Sequence, residues 1–150
     1  MNKLNYVTGD ATCPEGEGPK IIVHVCNDVG AWGAGFVLAL SAKWEAPERE
    51  YRALSTYILG DIQLVAVEED VHVANMIGQH DIRKDEDGFA PIRYSAIAAG
   101  LRKVNLMAGA MRATLHCPMF GSGLAGGDWN TIERLLQECT TVPVTVYEFE

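Results

Sequence analysis

Two glycine-rich stretches hold the residues whose types and spacing could do chemistry. The first, HVCNDVGAWGAGF at positions 24–36, follows an apolar run and places Gly30, Gly33 and Gly35 within six residues. The second, FGSGLAGGDW at positions 120–129, also follows an apolar run and places Gly121, Gly123, Gly126 and Gly127 within seven. No lysine or arginine occurs between Lys20 and Lys43 or between Arg112 and Arg134. An anion bound here would have to be held by main-chain amides. Glycine lets the main chain approach closely, and the unpaired N–H groups of a helix start favour negative charge. Either loop alone could be a plain strand-to-helix turn that uses glycine for positive φ. Together they favour a pyrophosphate clamped from two sides, provided their strands are neighbours.

Other chemistry finds less support. Gly121, Gly123 and Gly126 match the dinucleotide fingerprint GxGxxG, with Glu148 at about the distance of a ribose-binding acid. A Rossmann unit needs several strands beyond that point, and one apolar run remains, which predicts against a nicotinamide dehydrogenase. Ser122 follows Gly121 but has Phe120 where a GxSxG nucleophile elbow needs glycine. His24, His72, His80 and His116 show no close metal spacing, so no metal site is expected, and His24 and His116 read as strand residues of the core or its rim. Cys13, Cys26, Cys117 and Cys139 contain no CxxC and read as reduced, mostly buried thiols. Asp128 directly precedes a helical pattern and reads as its N-cap.

The elements that must position these loops follow from hydrophobic periodicity. Short β-branched runs at 4–7, 21–25, 62–67, 71–76, 114–117 and 144–149 read as strands, and stretches at 35–43, 47–54, 91–106 and 129–139 have helical spacing. Helices separate most strands, which predicts an α/β chain: a three-layer α/β/α sandwich around a central mixed, largely parallel six-stranded sheet. The polar turn at 68–70 predicts one antiparallel hairpin. Residues 13–19 and 80–88 read as solvated surface loops. At 150 residues, 48% of them hydrophobic, a single domain over 1–150 is expected. The net charge of −8 predicts against a nucleic-acid partner. The opening MNKLNYVTGD has no apolar signal core, and no run approaches a membrane span, so no membrane partner and a cytoplasmic location are expected.

Taken in order, YVTGD from Tyr6, HVCNDVGAWGAGF, VANMIGQ from Val73, PMFGSGLAGGDW from Pro118 and VTVYEF from Val144 give a sequence that resembles a macro domain, the ADP-ribose-binding α/β/α module. It most resembles the branch of small ADP-ribosyl-ester hydrolases and ADP-ribose 1″-phosphate phosphatases. The resemblance implies that Asp10 accepts a hydrogen bond from the adenine amino group, the alternative being a turn aspartate. It implies that Phe149 packs on the adenine face, the alternative being core edge. Gly33, Ala34 and Gly35 would line one side of the diphosphate and the distal ribose, and Ser122, Gly123, Leu124, Ala125 and Gly126 would supply amides on the other. Asn27 and Asp28 fall near the distal ribose as the catalytic candidates. Asp28 would orient the sugar or act as general base for a water at the anomeric carbon or terminal phosphate, unless the pair only builds an Asx turn. Ester-hydrolysing relatives use a lysine after the fourth strand and an aspartate in the second glycine loop, where Gln79 and Ala125 stand here. The implied function is binding of ADP-ribose or a derivative, with hydrolysis of a terminal phosphate or a protein-linked ADP-ribosyl ester and no cofactor. The alternative is a non-catalytic reader of ADP-ribosylated protein.

Overall fold

The structure is a computed structural model that describes residues 1–123 and 125–149. The described residues form β1 (Asn5–Thr8), β2 (Lys20–Asn27), α1 (Phe36–Lys43), α2 (Ala46–Arg52), β3 (Ile62–Glu68), β4 (Val71–Gln79), α3 (Tyr94–Met111), β5 (Thr114–Pro118), α4 (Trp129–Cys139) and β6 (Val144–Glu148). The strands make one sheet in the order β1-β6-β5-β2-β4-β3. Every neighbouring pair is parallel except β3 with β4, the hairpin that the polar turn predicts. This is the mixed, mostly parallel six-stranded α/β/α sandwich expected from the sequence. No helix among the described residues is long and apolar enough to cross a membrane.

Strand β2 shows why the layers form. Successive side chains of a strand point to opposite faces. Ile21 and Val23 join Leu101 and Val104 of α3 and Ile132 and Leu136 of α4 in one core, while Ile22 and Cys26 join Leu40 of α1 and Tyr51 of α2 in the other. A strand covered on both faces needs a continuous apolar run, which β2 has from Ile21 to Cys26 apart from His24.

That exception belongs to a buried polar row. His24 and Asn75 are paired across β2 and β4, and Asn75 and Gln63 across β4 and β3. His24 Nε2 lies 2.6 Å from Asn75 Oδ1; Asn75 Nδ2 donates to Gln63 Oε1 and to Pro47 O, each at 3.1 Å. Gln63 Nε2 donates to Glu50 O at 2.8 Å. The row thus ties α2 to the sheet by hydrogen bonds where apolar packing would otherwise act alone.

Three boundaries differ from expectation by three residues or more. Helix α3 starts at Tyr94 rather than at Pro91, because the preceding residues are engaged by the second glycine loop and by β4: Ile92 N–H donates to Ala125 O at 3.2 Å and Arg93 N–H to Gly78 O at 2.9 Å. It then continues past residue 106 to Met111 as buried Val104 and Ala108 extend its apolar face, and Arg112 ends it in the left-handed conformation, φ 56°. Strand β4 runs to Gln79 because its pairing with β2 continues to Asn27 across a register shift.

Candidate functional site

Strand β2 lies between β5 and β4, so the chain leaves it toward one side of the sheet and later returns, through α3, to the other. Such a reversal opens a crevice beyond the carboxyl ends of parallel strands. The two glycine loops follow β2 and β5, which pair directly. They therefore face each other across that crevice.

Three adjoining hollows form the cleft. One, about 430 Å³, is lined by Asp10, Ala11, Ala39, Tyr147 and Phe149. A waist of about 210 Å³ lies between Ala34 and Gly35 of the first loop and Gly121, Gly123 and Ala125 of the second. The third, about 350 Å³, is lined by Asn27, Trp32, Gly33, Gln79 and Ile82. Gly35 and Met119 border both the first hollow and the waist, and Ala34 and Gln79 both the waist and the third. The outline is wide, narrow, wide.

Uncommitted amides border and flank the waist. Gly35 is the N-cap of α1 at φ 75° and ψ −141°, a conformation open essentially to glycine alone, and no side chain caps the helix. Among the described residues, the N–H groups of Gly33, Ala34, Gly35, Phe36, Ser122 and Gly123 donate to no acceptor. Neither Gly33 nor Gly123 has positive φ, and a Cβ built on either meets nothing within 4 Å. Their lack of a side chain serves the open space and not the backbone. Gly126 differs: its N–H donates to Gly123 O at 3.0 Å, and it borders a separate hollow with Ala90 and Arg93. The expected contribution of its amide to the cleft is therefore taken up by the turn. Ala125 is buried and its carbonyl receives Ile92 N–H, while Leu124 lies outside the described residues.

At the first hollow Asp10 makes the turn contacts and keeps one carboxylate oxygen uncommitted. Oδ1 accepts the N–H and the hydroxyl of Thr12, each at 2.8 Å, as a turn aspartate does, and Oδ2 has no partner among the described residues. Phe149 is 81% exposed and borders the same hollow, so it is not core edge.

At the third hollow Asn27 is an organiser. Its Oδ1 accepts Val29 N–H at 3.1 Å, Ala31 N–H at 3.0 Å and the hydroxyl of Tyr51 at 2.7 Å, and its Nδ2 donates to Ala31 O at 2.7 Å. This is the Asx-turn arrangement. The carboxylate of Asp28 is engaged by the segment after β4: Oδ2 lies 2.7 Å from His80 Nδ1 and Oδ1 accepts Asp81 N–H at 2.8 Å. Nothing in residue type or spacing joins His80 to Asp28, fifty-two residues apart. Only the parallel pairing of β2 with β4 brings them together. Asp128 occupies the N-cap of α4, though its carboxylate accepts the Thr131 hydroxyl at 3.0 Å instead of a helix amide.

No protein-family model matches the chain. A structure of a protein of unknown function from Bacteroides thetaiotaomicron is 48% identical, with a TM-score of 0.95 over 97% of this chain and 98% of that one. A macrodomain protein from Streptomyces coelicolor is 46% identical, with a TM-score of 0.82 over 97% of this chain and 98% of that one. The chain belongs to the macrodomain family. Among curated relatives, the mouse chromodomain-helicase-DNA-binding protein 1-like is 30% identical over 161 aligned positions. They cover 97% of this macrodomain and 18% of that protein, so the chain spans less than a fifth of that relative. The ADP-ribose 1″-phosphate phosphatase of Candida albicans is 23% identical over 154 positions, 96% of this macrodomain and 98% of that protein.

Two buried histidines tie the macrodomain's stability to pH. His24 is 2% exposed, and its burial lowers its pKa from 6.5 to about 4 against the opposing pull of the Asn75 hydrogen bond. His116 is lowered to about 4 by burial and then by the charge of Lys20. Tyr147 OH accepts Glu15 N–H at 2.8 Å and stands 2.8 Å from His116 Nδ1, so the ring is hydrogen-bonded inside the core. Below pH 6.5 the unfolded chain takes up protons that the folded one refuses until about pH 4. Stability is then complete above the unfolded value and falls on acidification through this window, by up to roughly 1.4 kcal/mol per pH unit for each histidine. Urea midpoints measured from neutral to mildly acidic pH should drop accordingly; a flat profile would contradict the buried neutral state of both rings.

Proposed function

We propose that this macrodomain binds ADP-ribose along the cleft and hydrolyses a group attached to its distal ribose. The observation that carries the reading is the waist, where two neighbouring loops bring uncommitted amides to a space between two ring-sized hollows. Amides at a helix start suit a diphosphate without any cationic side chain. Adenine then lies in the first hollow, beside Phe149 and with its amino group toward Asp10 Oδ2, and the distal ribose lies in the third, near Gly33, Asn27 and Asp28. The Candida relative's name supports a ligand of this class. Gln79 and Ala125, where ester-hydrolysing relatives carry a lysine and an aspartate, favour a second reading: a reader that holds ADP-ribosylated protein without turnover.

Calorimetric titration tests the binding. ADP-ribose should saturate one site, with ADP and AMP at least about tenfold weaker because each leaves the third hollow unfilled. No heat at millimolar ADP-ribose would remove the proposal. Release of phosphate from ADP-ribose 1″-phosphate, or of ADP-ribose from an ester-linked protein, separates the hydrolase from the reader.

A further inference from the structure

We infer that His80, oriented by Asp28, is the general base of the third hollow, acting on the ester-linked ligand considered above. The inference rests on the proposed binding of ADP-ribose. Asp28 follows β2 and His80 follows β4, and the parallel register of these strands makes the two residues emerge side by side. Asp28 Oδ2 stands 2.7 Å from His80 Nδ1. An ionised carboxylate only accepts hydrogen bonds, so in the neutral imidazole the ring proton sits on Nδ1 and the lone pair on Nε2. Among the described residues nothing hydrogen-bonds Nε2, and the imidazole is half-exposed while the carboxylate is mostly buried.

The backbone around the pair is fixed. His80 N–H donates to Pro91 O at 2.8 Å, and Asp28 N–H donates to Gln79 O at 3.0 Å. Asp81 holds φ at 61°, uncommon for a residue with a Cβ, with its N–H on Asp28 Oδ1. Gln79 and Ile82, which flank His80 and Asp81 in the chain, line the third hollow. The pair therefore stands beside the place where the distal ribose would lie.

Charge selects the bond. Among the described residues, no lysine or arginine lines this hollow, and the segment at 80–88 carries Asp81, Asp85, Glu86 and Asp87 against Arg83 and Lys84. A phosphate dianion would enter the hollow with two charges and no cation to meet them, whereas an acyl ester enters neutral and develops a single negative charge, on its carbonyl oxygen, only in the transition state. In the proposed step a water gives one proton to His80 Nε2 as its oxygen bonds to the ester carbonyl carbon. The acyl C–O bond to the ribose then breaks, and the imidazolium returns the proton to the departing ribose oxygen. The products are a carboxylic acid and ADP-ribose. Asp28 stays ionised throughout and is a positioning residue.

The test compares the wild type, His80→Ala, Asp28→Asn and the double variant on a glutamyl-ester-linked ADP-ribosyl protein and on ADP-ribose 1″-phosphate, with ADP-ribose affinity measured beside turnover. His80→Ala should lose about 100-fold or more in kcat on the ester and regain part of it with added imidazole. Its ADP-ribose affinity should stay within about threefold of the wild type. Asp28→Asn should lower kcat with KM little changed, and should add nothing once His80 is gone. Undiminished ester turnover in His80→Ala would overturn the inference and leave the binding proposal standing. Preference for the phosphate substrate would overturn the choice of bond, and binding with turnover of neither substrate would overturn catalysis. A wild type that does not bind ADP-ribose would overturn both proposals.

Discussion

Gly123→Glu is expected to abolish ADP-ribose binding while leaving the fold intact. A Cβ at position 123 meets nothing within 4 Å and the backbone φ there is an ordinary one, so the substitution should shift stability by no more than about 0.5 kcal/mol. The added carboxylate, however, enters the waist where the diphosphate is proposed to lie and repels it. A loss of at least about 100-fold in affinity, roughly 2.7 kcal/mol, is the expected reading by calorimetry. Gly127→Ala gives the opposite pattern. Its Cβ would stand 2.5 Å from Gly121 O, the acceptor of its own N–H, so it should destabilise the fold by about 1–3 kcal/mol. If Gly123→Glu bound ADP-ribose as the wild type does, the diphosphate could not lie between the two loops.

Asn75→Leu is expected to destabilise the fold by roughly 3 kcal/mol, because a buried polar group left without its partner costs its full desolvation. Asn75 is 0% exposed and serves His24, Gln63 and Pro47 O together. Its removal leaves the His24 Nε2–H without its acceptor and takes a donor from Gln63 Oε1 and from the Pro47 carbonyl. The effect should reach the site, since Tyr51 of α2 donates its hydroxyl to Asn27, the organiser of the first loop. Urea denaturation reads the stability, and a weaker ADP-ribose affinity in the folded variant reads the coupling. His24→Leu combined with Asn75→Leu should cost less than the two single changes added together, because both ends of one buried hydrogen bond go at once. Strict additivity would mean that the row is not a connected network.

The α/β class, the hairpin and the order of the elements were legible because each rests on local periodicity. Ile21 to Val25 reads as a strand wherever it packs, and the polar turn before Val71 can only reverse the chain. Helix α3 was misplaced at its start for a non-local reason: residues 92 and 93 make hydrogen bonds to Ala125 and Gly78, distant in sequence, and these displace the helical turn that Pro91 would otherwise begin. Glycine content marked both loops as unusual. It did not separate Gly123, which leaves space open, from Gly126, which closes a turn, since the residue type is the same and the difference lies in what surrounds the missing Cβ.

By itself the sequence determined the layers, the two loops without cations and the resemblance to a family, all properties of residue type and spacing along the chain. Only the tertiary structure decided that the loops face each other, that Asn27 has its polar atoms inside its own loop, and that Asp28 meets His80. Those facts depend on which strands pair and in which register. Strand pairing is set by how both faces of the whole sheet are buried at once, a condition that no single segment contains.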